Sequence, residues 1–295
     1  MAVAGLTMTV IVAIQTSKIL REIKVDTGTI RSQTGPAMDT LATAPDSMAL
    51  QLSVVARLNR AFPVDSADPI SYYNRANLKS HKGFYESALT DLENALAGLQ
   101  DDKQLAWAFN LQAICLKHLG RNADALKSYK RALRIEPDEP AFLYNLANLQ
   151  TGMGKHDEAL KNLGQSLALN PKYGRGHNLL GKIWRAKGDN EKALGAFNIA
   201  LSMDTTEADF YIDRYQASLA LNRYDNLEAD ARRAVHLDST SGLAHAVLAE
   251  FLDNTARRDE ALDEYLAALR HARLLDKETL TLITQRVGAL QASRE

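Results

Sequence analysis

The sequence predicts an all-α chain built as a stacked array of helix hairpins. Three observations predict it. Within Ala106–Glu139 two apolar-periodic segments flank a small turn at Gly120-Arg121-Asn122, and Pro137 follows the second segment. That unit, about 34 residues long, recurs along the chain. Leu and Ala are abundant while Pro is limited to seven residues, a composition that favours helix. Apolar residues make up 46% of the 295, enough for a sizeable core. Charged residues make up 24% and leave a net charge of -1. Nucleic-acid binding draws on phosphate neutralisation by a basic excess, so no nucleic-acid partner is expected. The single cysteine, Cys115, excludes an internal disulfide and a cysteine-based zinc site, and it reads as a small buried residue.

The chain opens on an uncharged run, Ala2–Ile14, followed by Lys18, Arg21 and Lys24. As helix those thirteen residues span roughly 20 Å against the roughly 30 Å of a bilayer core. Residues 1–17 are read as a membrane anchor, with the basic residues after it holding the bulk of the chain on the cytoplasmic side. The alternative is a buried segment of a free cytosolic protein. Residues 18–46 contain Gly28, Gly35, Pro36 and Pro45 and read as a linker. Residues 47–68 are expected to carry an amphipathic helix ahead of the array, with Leu50, Val54, Leu58 and Ala61 on one face.

Six hairpins follow over residues 69–275: Pro69–Asp102, Ala106–Glu139, Pro140–Tyr173, Gly174–Glu207, Ala208–Ser241 and Gly242–Leu275. Lys103–Leu105 are inserted after the first. The eighth position reads Ala76, Ala113, Ala147, Gly181, Tyr215, Ala249, and the twentieth reads Ala88, Ala125, Ala159, Ala193, Leu227, Ala261. The twenty-seventh is Ala95, Ala132, Ser166, Ala200, Ala234, Ala268. Small residues let two helices approach, where a larger side chain would overpack. The twenty-fourth position supplies the filling: Leu92, Tyr129, Leu163, Phe197, Ala231, Tyr265. The fifteenth, Gly83, Gly120, Gly154, Gly188, Asn222, Ala256, is placed to end each first helix in the left-handed conformation. Pro69 and Pro140 suit helix starts. The fifth copy departs most, with Tyr215, Leu227 and Ala231 out of pattern. Residues 276–295 read as a final helix with a polar outer face that caps the array.

These columns together resemble the tetratricopeptide repeat family across residues 69–275. The resemblance implies a right-handed α–α superhelix whose first helices line a concave groove through their second, fifth, sixth, ninth, twelfth and thirteenth positions. Carried over, the first copy offers Ile70, Tyr73, Asn74, Asn77, Ser80 and His81, and the second Trp107, Asn110, Leu111, Ile114, Lys117 and His118. Tyr144, Asn145 and Asn148 follow in the third copy, then Arg175, Asn178, Lys182 and Arg185 in the fourth. Asp209, Asp213, Glu250 and Asp253 end the groove. The candidate peptide-binding residues are Tyr73, Asn74, Asn77, Asn110, Tyr144, Asn145, Asn148, Arg175, Asn178, Lys182 and Arg185. A carboxamide donates and accepts, so a row of Asn can hold an extended peptide by its backbone. The basic fourth copy points to a partner segment carrying acidic residues. Family members that clamp the C-terminal carboxylate of heat-shock chaperones use Lys, Asn and Arg over three copies; Leu111 and Ile114 break that set here.

Enzyme motifs are absent from the sequence. The seven histidines form no i,i+4 pair, and neither a phosphate-binding glycine loop nor Gly-x-Ser-x-Gly occurs. Asp26-Thr27-Gly28 has no second copy to share a proton with. No cofactor or metal is expected. The expectation is a non-enzymatic adaptor that holds a protein or extended peptide in its groove, or alternatively a regulatory or targeting subunit whose catalyst is a separate chain.

Overall fold

The computed structural model describes residues 45–65, 68–272 and 275–293, with side chains from Ser53 onward. The expected anchor at residues 1–17 and the linker through residue 44 lie outside them. Among the described residues there are fourteen helices and no strand, and no helix is long and apolar enough to cross a membrane. The chain forms a right-handed α–α superhelix closed by a C-terminal helix.

The helix ahead of the array is α1 (Pro45–Ala61). Its Leu58 is buried, whereas Ala61, placed on the same face by its spacing, is exposed. The first three hairpins are α2 (Pro69–His81) with α3 (Tyr85–Gly98), α4 (Asp102–His118) with α5 (Asn122–Ile135), and α6 (Pro140–Gly152) with α7 (His156–Leu169). The next three are α8 (Gly174–Ala186) with α9 (Asn190–Met203), α10 (Ala208–Ala220) with α11 (Leu227–Leu237), and α12 (Gly242–Asn254) with α13 (Arg258–Arg270). The final helix is α14 (Lys277–Ala292). Each first helix packs on its own second helix, each second helix leans on the following first helix, and successive first helices touch along the stack. The first helices therefore crowd together on the inner side of the curve.

Local sequence fixes the helix ends. Asp68 and Glu139 accept from the backbone N–H of Ile70 (3.0 Å) and Ala141 (3.2 Å), each ahead of a proline at the first helical position. At the other end, Gly83, Gly120, Gly154 and Gly188 all have positive φ. So do Asn222 (56°) and Ala256 (61°). Around Ala256, the Arg257 N–H donates to the Leu252 carbonyl at 2.8 Å and the Ala256 N–H to that of Asp253 at 3.0 Å. The geometry demands a left-handed residue whatever stands there, and alanine bears a steric cost that glycine does not.

The small columns lie at the helix crossings. Ala76, Ala88 and Ala95 are fully buried, as are their equivalents in the second and sixth hairpins. At Gly181 an added Cβ would come within 2.4 Å of Phe197 Cε1, so the large twenty-fourth side chain and the empty eighth position require each other. The fifth hairpin makes the opposite exchange. Tyr215 is buried at the eighth position and Leu227 at the twentieth, while the twenty-fourth shrinks to Ala231. The volume has moved from the second helix to the first. The last two hairpins and α14 share one continuous core running from Ile212 through Leu252 and Tyr265 to Ile283, Val287 and Leu290. Earlier joints rest on smaller separate clusters, such as Ala200, Leu201 and Phe210 between the fourth and fifth hairpins.

A further column is polar. The twenty-third position of the second helix ties back to the first helix in five of the six hairpins. Arg75 clasps Asp91 through two N–H donors at 2.8 and 2.6 Å, and Lys79 Nζ lies 2.7 Å from the same carboxylate. Ser128 donates to Gln112 at 2.8 Å, and Asn162 to Gln150 at 2.7 Å. Arg214 clasps Asp230 at 2.8 and 2.5 Å, and His245 Nδ1 lies 2.6 Å from Glu264. Lys79 and Asp91 are almost fully buried, so burial lowers the Lys79 ammonium pKa while its bond to Asp91 opposes the shift.

Two stability changes follow. Ala256→Gly is expected to raise stability by about 0.5–1 kcal/mol, read as a higher urea midpoint by circular dichroism. Asp91→Ala should cost about 3–5 kcal/mol because it leaves two cations without their counter-charge. Ser128→Ala at the equivalent place should cost about 1 kcal/mol, and equal costs at the two sites would contradict the distinction.

Candidate functional site

The inner faces of the first helices form two cavities. The N-terminal one, about 500 Å³, lies over the first two hairpins. Tyr73, Asn77, Ser80 and His81 of α2 face Trp107, Asn110, Leu111, Ile114 and His118 of α4, and Asn145 of α6 closes the far side. All ten are positions the repeat register assigns to the groove. The register missed one wall residue, Tyr85, which opens α3 and stacks on His118 at 4.5 Å between ring centres. The register assigns first-helix positions alone, so a residue at the start of a second helix falls outside it. Trp107 packs edge-on against the buried Phe142 at 4.9 Å. Among the described residues no Asp, Glu, Lys or Arg lines this cavity. Burial, reinforced by the charge of Lys117, lowers the His118 pKa, which favours the neutral ring. Burial also raises the Tyr73 pKa.

The middle cavity, about 330 Å³, lies over the third and fourth hairpins. Tyr144 and Asn148 of α6 face Arg175, Asn178, Leu179 and Lys182 of α8. Glu207, the cap residue ahead of α10, closes it together with Asp209 and Phe210 of α10. Burial pushes the Tyr144 hydroxyl up to about 12. Of the expected binding residues, Asn74 is exposed and lines neither cavity, and Arg185 lies beyond the second.

Two expectations about this surface change. The asparagines are not a uniform row of free carboxamides. Asn110 is buried and accepts from Asn145 Nδ2 at 3.0 Å, and Asn178 is buried and donates to Asp213 at 3.0 Å. In both, the fifth position of one hairpin meets the sixth of the next. The same pair of positions is apolar at the other joints: Tyr73 with Leu111, Tyr144 with Leu179 and Ile212 with Val247 share clusters.

Nor is the fourth copy a free basic patch. Arg175 Nη2 lies 2.6 Å from Glu207, and Lys182 Nζ lies 3.0 Å from Asp213. Arg185 sits 3.5 Å from Asp213 and also donates to Gln216. The acidic end is likewise engaged, since Arg286 of α14 donates to Asp253 from Nε at 2.8 Å. Burial raises the Glu250 carboxyl above its usual range. The three cations of the fourth copy are thus met by Glu207 and Asp213, and an acidic partner has no unpaired cation to meet at Arg175, Lys182 or Arg185.

Two tetratricopeptide repeat profiles match the chain, over residues 68–137 and residues 116–183. Residues 68–183 are tetratricopeptide repeats. Small glutamine-rich tetratricopeptide repeat-containing protein 2 of Mycosarcoma maydis is 27% identical over 105 residues, 35% of this chain and 30% of that protein. The TPR repeat-containing thioredoxin TTL4 of Arabidopsis thaliana is 29% identical over 34% of this chain, which spans only 14% of its length. The photosystem I assembly protein Ycf3 of Cyanophora paradoxa is 28% identical over 128 residues, covering 42% of this chain and 73% of that protein. Among solved structures, a thermophilic TPR protein of Thermus thermophilus superposes with a TM-score of 0.53 at 27% identity, covering 62% of this chain and 98% of that one. Cut9 in its complex with Hcn1 shares the fold at a TM-score of 0.67 and 16% identity, over 80% of this chain and 45% of that one. Tetratricopeptide arrays are generally scaffolds for protein–protein interaction.

The internal pairing is testable. Asp213→Asn should release Lys182 and Arg185, so that a fluorescent hexaglutamate peptide gains about ten-fold in affinity at low salt by anisotropy. No gain would mean that Asp213 does not quench them.

Proposed function

We infer that this tetratricopeptide protein is a non-enzymatic scaffold that holds an extended protein segment along its concave face, anchored in the N-terminal cavity. One observation carries the reading. The first two hairpins leave an open, uncharged, aromatic-walled cavity of about 500 Å³, large enough for one or two bulky side chains. Its walls combine apolar surface from Leu111, Ile114 and Trp107 with polar tips from Tyr73, Asn77 and Ser80. That mixture buries an apolar or aromatic anchor while bonding the backbone on either side of it. The match to an assembly protein, Ycf3, supports a role in bringing other proteins together. Binding of one segment by such a groove falls near Kd ~1 μM, about -8 kcal/mol.

The test is affinity capture followed by measured binding of the recovered partner. Ile114→Glu places a charge in the cavity and should weaken binding by about ten-fold or more. Lys130→Glu, on an exposed position of α5 away from both cavities, should leave it unchanged. A partner that binds the Ile114→Glu protein at full strength does not use this groove.

A further inference from the structure

The outer side of the array is bridged at one joint and open at another. Between the fourth and fifth hairpins two side chains of the fifth reach back to the fourth. Arg214, at the seventh position, donates to Asn198 at 3.2 Å, and Arg223, at the sixteenth, lies 2.8 Å from Glu191. Between the first and second hairpins the same two positions are Gln112 and Arg121. Both turn to their own hairpin instead. Gln112 accepts from Ser128 at 2.8 Å, and Arg121 Nη2 lies 3.0 Å from Asp124. The groups left unmet are Glu93, the counterpart of Asn198, and Glu86, the counterpart of Glu191. Neither carboxylate forms an ion pair among the described residues. This is also the joint that carries the inserted Lys103–Leu105.

Two hollows of about 240 and 380 Å³ lie at this joint. Both are lined by Leu89, Glu93 and Arg121, so they form one cleft between α3 and α5. Leu89, Leu116 and Leu119 give the cleft its apolar surface. On the α3 wall Glu86 and Glu93 stand two turns apart, about 10 Å along the helix, with Leu89 between them. The α5 wall has the opposite sign. Its Asp124 is shared by Arg121 and by Lys127 at 3.2 Å, and Arg131 lies over the Phe109 ring at 5.5 Å. A cation entering the cleft is therefore drawn toward α3 and repelled from α5. Both walls are helices whose backbone groups are already paired, so an extended segment finds no ladder here. A helical segment brings its own backbone bonds with it.

We propose that this cleft docks an amphipathic helix of a partner protein, its apolar ridge on Leu89, Leu116 and Leu119 and two Lys or Arg side chains, two turns apart, on Glu86 and Glu93. The site is formed by second helices, on the side away from the concave groove, and does not depend on what that groove holds.

The experiment uses the full chain and two fluorescein-labelled, alanine-based helical peptides. The first carries a leucine ridge with two lysines spaced seven residues apart beside it, and the second has glutamate in place of both lysines. By anisotropy at low salt, the lysine peptide should bind saturably and about ten-fold more tightly than the glutamate peptide. Glu86→Lys combined with Glu93→Lys, both at exposed positions, should reverse that preference. Ile114→Glu, in the concave groove, should leave it unchanged. The docking site is overturned by an absence of saturable binding, by equal binding of the two peptides, or by a preference that survives the double charge reversal. Loss of the lysine peptide in Ile114→Glu also overturns it, since the peptide then sits in the groove. Failure of the groove reading shows separately, as a partner that binds Ile114→Glu at full strength while the peptide preference stands.

Discussion

The array depends on the close approach of the two helices within each hairpin, held by small buried residues at the crossing or by an exchange of volume that replaces them. Ala76 against Ala88 and Ala95 sets it in the first hairpin, and fully buried equivalents repeat it in the second and sixth. Near approach leaves no room for error in volume, so the large residue at the twenty-fourth position and the small one at the eighth are a matched pair. Gly181 with Phe197 is the extreme case. Tyr215 with Ala231 shows that the match can be kept with the partners exchanged. Position by position the fifth copy looks irregular, but its summed volume conforms.

Apolar crossings set distance, and polar contacts set register. The twenty-third position ties the two helices of a hairpin together through Asp91, Ser128, Asn162, Asp230 or Glu264. Across joints, Asn110 with Asn145 and Asn178 with Asp213 align successive first helices. The groove is thus shaped by the side chains that line it. Each group spent on alignment is withdrawn from recognition, and the N-terminal cavity, walled by five rings and no Asp, Glu, Lys or Arg, holds one such pair, Asn110 with Asn145.

The helices, their ends and the groove positions were legible in the sequence because they depend on size and period. Ala, Gly and Pro have few roles, and at a fixed spacing they allow few interpretations. Ten of the N-terminal cavity's wall residues follow from register alone. The twenty-third column was invisible for the opposite reason. Its residues differ from copy to copy, and their partners sit at the fourth, seventh or eleventh position, so nothing recurs in composition. The charge blocks misled because Arg175, Lys182 and Arg185 find their partners 28 to 32 residues further on, at or beyond the start of the next first helix. Reading each copy separately shows free cations where the folded chain has closed pairs.

The uneven division of the core gives the solenoid a mechanical polarity. The last two hairpins and α14 share one apolar mass, so opening any one of them exposes the core of the others. Upstream, each joint rests on its own small cluster, such as Ala200, Leu201 and Phe210. Local opening ahead of that shared core, where the N-terminal cavity lies, therefore exposes less apolar surface than opening within it.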